Sequence, residues 1–508
     1  MQSLTALLAS GPSGPRAPAA QGTAHPWPAA HLDAGHWSAL AAHLAAGRFT
    51  LVSLWGERDG VQMALLDEAS GEAGLARITA PDGRFPAVGR VHAPAQRLER
   101  AAADLFGLIP DHAADARPWL DHGRWEMSAP LGAATPAGPA EPYPFLAAEG
   151  AALHQIPVGP VHAGIIEPGH FRFSCHGETV VRLEQRLGYL HRGVDGLMSG
   201  ASLAQGAALA GRLSGDSTVA MTLAFCRAAE AALGIAVPER AHALRALMAE
   251  LERLANHLGD VGAICNDAAF ALMLAHCGAL RERVLRASAH AFGHRLMMDR
   301  VAPAGVTVEL APEGIAALRR LVETVRAAFP PLVRLYDEST SIQDRTVGTG
   351  IVKPGLARQF GAGGFVGRAS GRSFDARRAW PYAPYDRLPF TVPVRSEGDV
   401  NARIWIRILE IEESLSLVTR ILDTLPAGEL RAPVPAAAGE GTALVEGFRG
   451  DVFAYVRLDR DGRLERAHLR DPSWFQWPLL EAAIEGNIVA DFPLCNKSFN
   501  CSYAGCDL

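Results

Sequence analysis

Apolar residues recur at spacings of three and four through most of the C-terminal two thirds of the chain, the pattern of helices that bury one face. Over residues 238–264, Leu244, Leu247, Met248, Leu251, Leu254 and Leu258 form one stripe, with Glu250, Glu252 and Arg253 largely off it. The same periodicity predicts helices over 202–233, 267–298, 312–328 and 400–425, and stripes of this kind imply a packed bundle. The N-terminal part reads differently. A helical pattern over 36–49 precedes three strand-like runs, 49–58, 61–70 and 73–81, and Pro94 opens a further helix with Leu98, Ala102 and Leu105 on one face.

These patterns predict an α+β protein in two parts. Residues 1–30, rich in Ala, Pro and Gly, read as a flexible N-terminus. A small α+β domain follows over 31–126. Residues 127–150 hold five prolines and no periodicity, the composition of an exposed linker between separately folded parts. A large, mainly helical domain occupies 151–508, opening with a loop and a strand pair that turns at His176, Gly177 and Glu178. Residues 348–395, dense in Gly, Arg and Pro, read as a long ordered loop packed on the bundle.

Composition narrows the function classes. With 508 residues, 49% of them hydrophobic, and a formal charge of -6, the chain has a globular make-up and no basic excess for nucleic acid. The uncharged run over 196–211 is rich in Gly, Ser and Gln and is closed by Arg212 and Asp216, so it offers no bilayer-spanning helix. The N-terminus has no basic run before its apolar stretch, which points away from a secretory signal and to a cytoplasmic location. Seven cysteines, an odd number, do not suggest a disulfide framework, and Cys495, Cys501 and Cys506 match no zinc template.

Four motifs carry chemistry: GPVHAGIIEPGHF from Gly159, RLGYLHRGVDGL from Arg186, RLSGDSTVAMTLAFCRAAE from Arg212 and ELERLANHLGDVG from Glu250. In this order, together with GTGIVKP from Gly348 and NARIWIRILEIEESL from Asn401, they resemble the hydrogenase large subunits and the quinone-site (D) subunit of respiratory complex I over 159–508. The first domain, through ERAAADLFGLIPDHAADARPWL, resembles the small hydrophilic (C) subunit of complex I. A fusion of the two is typical of formate hydrogenlyase and hydrogenase-4 large subunits, in the group 4 hydrogenase class.

The resemblance implies a large subunit of a membrane-associated oxidoreductase complex of the NADH-quinone or hydrogenase kind. Electrons would come from an iron-sulfur cluster in a complex I B-subunit-like partner and pass to quinone or another acceptor, coupled to ion translocation by antiporter-like membrane subunits. The chain would sit peripherally on the inner face of the cell membrane. Two further readings are a non-catalytic structural or coupling subunit and a true nickel-iron hydrogenase.

The nickel hydrogenases of this family use RxCGxC and DPCxxC motifs, whose thiolates hold the soft metal. Here the corresponding positions are Ser214 and Ser217, and Ser502 and Gly505, so the resemblance implies a chain that binds no nickel-iron centre and no other metal of its own. Cys501 and Cys506 lie one residue outside those positions, and a shift of register would still leave Ser214 and Ser217 without sulfur. The chain stops at Leu508, where many nickel hydrogenases carry a removable extension. Glu167, His170 and Asp216 are the candidate acids and bases, and His162, His170 and Gly215 the candidate acceptor pocket.

Gly215 stands where the complex I subunit has a quinone-binding tyrosine, which counts against quinone chemistry. Asp216, Ser217 or Thr218 could equally cap the following helix. His191 and Arg192 fall at the pocket entrance, as functional or as hydrogen-bonding residues. Arg368, Arg372, Arg377 and Arg378 would face the cluster-bearing partner, or form a solvated basic face. Asn256 and His257 read as buried hydrogen-bonding residues.

Overall fold

A short helix, α1 (Leu4–Ala9), buries Leu4 and Leu8, so part of the stretch expected to be flexible is packed. The computed structural model describes residues 3–10, 27–139, 141–150, 152–161 and 166–508. Gly74 makes room for α1, since a Cβ there would come within 2.4 Å of Leu8 Cδ1. Next come β1 (Ala29–His31), α2 (Ala34–Ala45), β2 (Thr50–Glu57), β3 (Gly60–Asp67) and β4 (Glu72–Thr79), in a sheet ordered β1-β4-β3-β2. The three strands read from sequence agree with β2, β3 and β4. Helix α3 (Gln96–Phe106) closes this part, and Gly107 ends it in the left-handed region (φ 72°) that favours glycine.

After the proline-rich stretch, β5 (Leu153–Val158), β6 (His170–His176) and β7 (Thr179–Arg186) form an antiparallel sheet, with the hairpin turn at Gly177 as expected. The helical part holds α4 (Val194–Met198), α5 (Leu203–Ala210), α6 (Thr218–Leu233), α7 (Glu239–Asp267), α8 (Ala271–Phe292), α9 (Pro312–Glu338) and α10 (Val400–Asp423). Two boundaries differ from the periodicity. The single helix expected over 202–233 is broken at 211–217, and within the break the Ser214 and Ser217 hydroxyls bond to Asp216 around a tight turn. Helix α9 runs past its expected end through Pro330 and Pro331, both exposed, so water can reach the carbonyls that lose their donors.

The periodicity also passed over a second sheet, β8 (Gly439–Gly447), β9 (Gly450–Leu458) and β10 (Leu464–Arg470), which is followed by α11 (Ser473–Ile484) and α12 (Phe492–Phe499). Its strands are buried almost throughout and therefore show no alternation of apolar and polar residues. Helix α6 lies on one face, where a Cβ at Gly441 would stand 2.1 Å from the Ala228 carbonyl.

The N-terminal sheet packs on the other face. Trp55 stacks on His468 with centroids 4.9 Å apart, Ser53 Oγ lies 2.8 Å from His468 Nε2, and Arg470 Nε donates to the Val52 carbonyl at 2.8 Å. Buried residues of both parts belong to one continuous cluster. The expectation of separately folded parts is corrected by this shared core, and the stretch expected to be an exposed linker packs on both parts, the Leu131 N–H bonding to the Leu105 carbonyl at 2.9 Å and the Phe145 ring lying 5.0 Å from that of His170.

Candidate functional site

The break between α5 and α6, the tip of the β8–β9 hairpin, the end of α12 and the loop before β6 meet around a polar cavity of about 410 Å³. The hairpin tip delivers Arg449. Its NH1 donates to Asp216 Oδ1 at 2.7 Å and to Ser217 Oγ at 2.9 Å, and its NH2 reaches Asp216 Oδ2 at 2.5 Å. Ser214 Oγ lies 2.8 Å from Ser502 Oγ and donates to Asp216 Oδ1 at 2.9 Å, while Gly505 N donates to Ser502 Oγ at 3.0 Å.

Ser214, Ser217, Ser502 and Gly505, which the resemblance set at nickel-ligand positions, therefore converge, but on hydroxyls and a guanidinium. Burial pushes the Asp216 carboxyl up, and the Arg449 charge and its hydrogen bonds outweigh this and hold it below the ordinary value. Arg449 in turn is held above its ordinary value, the Asp216 charge overcoming burial.

A nickel-iron centre does not fit these residues. Serine hydroxyls are poor ligands for a soft metal, and a cation among them would meet the Arg449 charge. A Cβ at Gly505 would stand 2.8 Å from Asp471 Cγ, so the Asp471 side chain occupies the space of a fourth thiolate. Nor do the nearby cysteines offer thiolates: burial raises the Cys501 and Cys506 thiols well above their ordinary range, and that of Cys495 to about 11.

The expected site residues divide. Glu167 and Gly215 line the cavity beside Asp216, and Glu167 Oε2 accepts the Ala504 N–H at 3.1 Å. A Cβ at Gly215 would meet nothing within 4 Å. His170 opens β6 away from the cavity lining, with Nδ1 3.3 Å from the Gly159 carbonyl and its ring 5.0 Å from Phe145. Burial, partly offset by the Gly159 carbonyl, lowers its pKa. His162 lies outside the described residues.

His191 Nδ1 lies 2.8 Å from the Asp507 carbonyl and its ring packs on Trp125, while Arg192 donates to the Arg212 and Leu213 carbonyls at 2.8 and 2.9 Å and braces the turn. Both also line a separate, mainly apolar cavity of about 550 Å³ with Trp125 and Leu131.

The reading of the four arginines is corrected for three of them. Arg368, Arg372 and Arg377 are buried and turned inward, to Glu410 and Glu446, to Glu68, and to Glu250 and Asp375. A guanidinium spent on internal ion pairs cannot meet a partner, and only Arg378 of the four is exposed. His257 and Asn256 are buried hydrogen-bonding residues as expected, with His257 Nε2 2.8 Å from Glu410 and Asn256 Nδ2 bonded to the Asp216 and Glu252 carbonyls at 2.9 Å each.

Arg449, Lys497, Asp471 and Glu252 were not singled out by sequence reasoning. Lys497 lines the cavity and Asp471 supports its floor. Glu252 does what was expected of Asp216, Ser217 or Thr218: its carboxylate accepts the Val219 and Ala220 N–H groups at 2.7 and 3.1 Å and caps α6. Burial pushes its pKa up to about 8, against those two bonds, with the Asp216 charge adding to the rise. No local signal marks it out, since α7 also buries Arg245, Glu250, Arg253, Asn256 and His257.

Comparisons with known proteins place the chain. The family described as respiratory-chain NADH dehydrogenase, 49 Kd subunit, matches residues 260–437 and 431–508. The carbon monoxide-induced hydrogenase of Rhodospirillum rubrum is 33% identical over 353 residues, which cover 68% of this chain and 97% of the relative. Formate hydrogenlyase subunit 5 of Escherichia coli (strain K12) is 30% identical over 424 residues, 80% of this chain and 74% of the relative. The D subunit of the NADH-quinone oxidoreductase of Dehalococcoides mccartyi (strain ATCC BAA-2100 / JCM 16839 / KCTC 5957 / BAV1) is 32% identical over 66% of this chain and 92% of its own. Among solved structures, a chain of the membrane-bound sulfane sulfur reductase, an archaeal respiratory membrane complex, superimposes with a TM-score of 0.67 at 26% identity, covering 70% of this chain and 99% of that one. Among the described residues no helix is long and apolar enough to cross a membrane.

Proposed function

Since this chain belongs to the family of the respiratory-chain NADH dehydrogenase 49 Kd subunit and the related hydrogenase large subunits, we propose that its polar cavity receives an electron acceptor, or the protons that accompany its reduction, without a nickel-iron centre. The observation that carries this reading is the Arg449–Asp216 pair at the meeting point of Ser214, Ser217, Ser502 and Gly505. It supports the reading by setting a fixed cation beside an open, hydrogen-bonding cavity.

In this reading Arg449 stabilises negative charge that arrives with an electron. Glu167, on the cavity wall, exchanges protons with the acceptor. Glu252 behind Asp216 titrates near neutrality and can hold a proton in reserve. Lys497, Asn496 and Asn500 make the lining polar, which favours a small polar acceptor over a quinone ring, as does glycine at 215.

The remaining assignments extend the same reading. The part over 31–126 serves as a C-subunit-like domain and 151–508 as a D-subunit-like domain. Electrons come from an iron-sulfur cluster in a B-subunit-like partner, antiporter-like subunits anchor the complex, and the chain lies on the inner face of the cell membrane. A second reading, a coupling subunit without redox chemistry, is favoured by how completely Asp216 and Arg449 satisfy each other.

The deciding experiment is acceptor reduction by the purified complex, with wild-type chain and with Glu167→Gln. Loss of a positioned acid or base costs on the order of a hundredfold in the proton-transfer step. Normal assembly with turnover reduced on that scale is expected. A complex that reduces acceptors equally well with Glu167→Gln overturns the role of this cavity, and one that reduces no acceptor at all favours the coupling subunit.

A further inference from the structure

A second polar cavity, of about 530 Å³, opens where α6 ends and α7 begins, and is closed on its far side by the segment 381–387. We infer that it binds the phosphate or carboxylate group of a small anionic molecule, held by Arg227 and the open N-terminus of α7. Arg227 follows Thr218 by nine residues of α6, about 13 Å along the helix axis, so this place is distinct from the cavity at Asp216.

The first ground is the state of Arg227. Its guanidinium lies 4.6 Å from the Tyr382 ring centroid, and its buried Nε has no hydrogen-bond partner. Among the described residues no carboxylate pairs with it. Arg227 is partly buried, and the fully buried arginines of the bundle are engaged: Arg245 with Glu230, Arg253 with Glu250, Arg368 with Glu410 and Glu446, Arg377 with Glu250 and Asp375, and Arg407 with Asp260. A desolvated donor without an acceptor is costly, and a ligand oxygen would remove that cost.

The second ground is independent of the first. Helix α7, 29 residues long, begins at this cavity, and Pro238 in its N-cap position provides no side-chain acceptor. Its leading N–H groups have no side-chain cap, and Val237, Glu239 and His242 at this helix start line the cavity, so the positive end of its dipole borders it.

The carboxylates nearby are turned to cations other than Arg227, two of them to the same one. Glu230 is held by Arg245 at 2.5 Å, and Glu239 and Asp386 both face Arg387. His242, also in the lining, is driven down to about 3 by burial and by Arg245, Arg227 and Arg387, so its ring is neutral and able to donate an N–H. A guanidinium edge, a helix start and a neutral imidazole form a donor set for an oxyanion, in a volume that admits more than the oxyanion alone.

The test is titration of the full chain and of the assembled complex with inorganic phosphate and, separately, with citrate at constant ionic strength, followed by thermal shift and calorimetry. Saturable binding of at least one of them is expected, with chloride inert. Arg227→Gln should weaken it at least tenfold, and Arg227→Lys should weaken it less, because it keeps the charge without the fork. The relative response to phosphate and citrate tells which group the site prefers. The proposal is overturned if neither anion binds saturably, or if Arg227→Gln, folded by circular dichroism, binds as tightly as wild type. Binding by the free chain that vanishes in the complex also overturns it, and points to an acidic side chain of another subunit in the cavity.

Discussion

Arg449 and Asp216 lie 233 residues apart in sequence and meet through two hydrogen bonds, 2.7 and 2.5 Å long, in the space enclosed by Ser214, Ser217 and Ser502. The pair ties the β8–β9 hairpin to the start of α6. Removing Arg449 alone would leave a partly desolvated carboxylate without its cation, a loss that in a fully buried pair costs roughly 3–5 kcal/mol. The Asp216 side chain is 37% exposed, so the loss should fall below that range. Urea unfolding is expected to show Arg449→Leu clearly destabilised and the double variant Arg449→Leu, Asp216→Leu less so, because the second change removes the stranded charge. A double variant as unstable as the sum of the singles would mean that the two do not act as a pair.

Introducing sulfur at Ser214, Ser217, Ser502 and Gly505 should not create a metal site. With Ser214→Cys, Ser217→Cys, Ser502→Cys and Gly505→Cys combined, the Arg449 charge still stands among the thiols and Asp471 still occupies the space of the last one. Gly505→Cys alone is expected to cost about 1–3 kcal/mol, the range for overpacking a filled interior. Elemental analysis of the fourfold variant, expressed with nickel, should find far less than one nickel per chain. A stoichiometric content would show that the guanidinium and Asp471 yield more readily than the geometry suggests.

Glu252 gives the protein a pH dependence whose sign follows from its raised pKa. In the unfolded chain the carboxyl titrates near 4.5, and in the folded protein near 8. Between these values the folded state holds a proton that the unfolded state has released, so the stability present at low pH is lost as pH rises, by about 1.4 kcal/mol per pH unit for this group. Glu99, Glu446 and Asp507, each pushed up to about 7 with burial the largest cause, add slopes of the same sign below neutrality. Buried histidines such as His92 and His122, pushed down to about 4, add slopes of the opposite sign below pH 6.5, so the expected outcome is a difference: the unfolding free energy of Glu252→Gln should fall less, or rise more, with pH than that of the wild type between pH 5 and 8. Equal slopes in the variant and the wild type would show that Glu252 is ionised in the folded state.

Legibility from sequence followed burial. The stripe from Leu244 to Leu258 gave α7 because one face of that helix is apolar, and the three N-terminal strands were marked off by their turns. The stretch from Gly439 to Arg470 stayed silent because β8–β10 are covered on both faces, by α6 and by a sheet almost four hundred residues earlier in the chain. No local pattern records such a neighbour. The same cause hid Arg449, whose only local mark is the turn Gly447-Phe448-Arg449-Gly450. Glu167 and the serines were legible through motifs, whereas the turning of Arg368 and Arg377 toward Glu410 and Glu250 depends on chain crossings that no spacing encodes.

Gly215 offers the most direct test of whether the cavity works. A Cβ there would meet nothing within 4 Å, and its backbone lies outside the positive-φ region, so a side chain should be accepted without strain. Replacing a glycine at a compatible position stabilises by about 0.4–1 kcal/mol through the unfolded chain. Gly215→Ala should therefore be as stable as wild type or slightly more so, and Gly215→Tyr should fold while placing a ring in a space of about 410 Å³ beside Glu167 and Asp216. If a small polar acceptor enters this space, the tyrosine variant should raise the KM for that acceptor severalfold while Gly215→Ala leaves it nearly unchanged, since only the larger side chain removes volume. If the cavity binds nothing, both variants should match wild type in assembly, KM and kcat. Stability measured on the same preparations separates a filled cavity from a damaged fold, and unchanged acceptor kinetics with Gly215→Tyr would sink the proposal that the acceptor binds here.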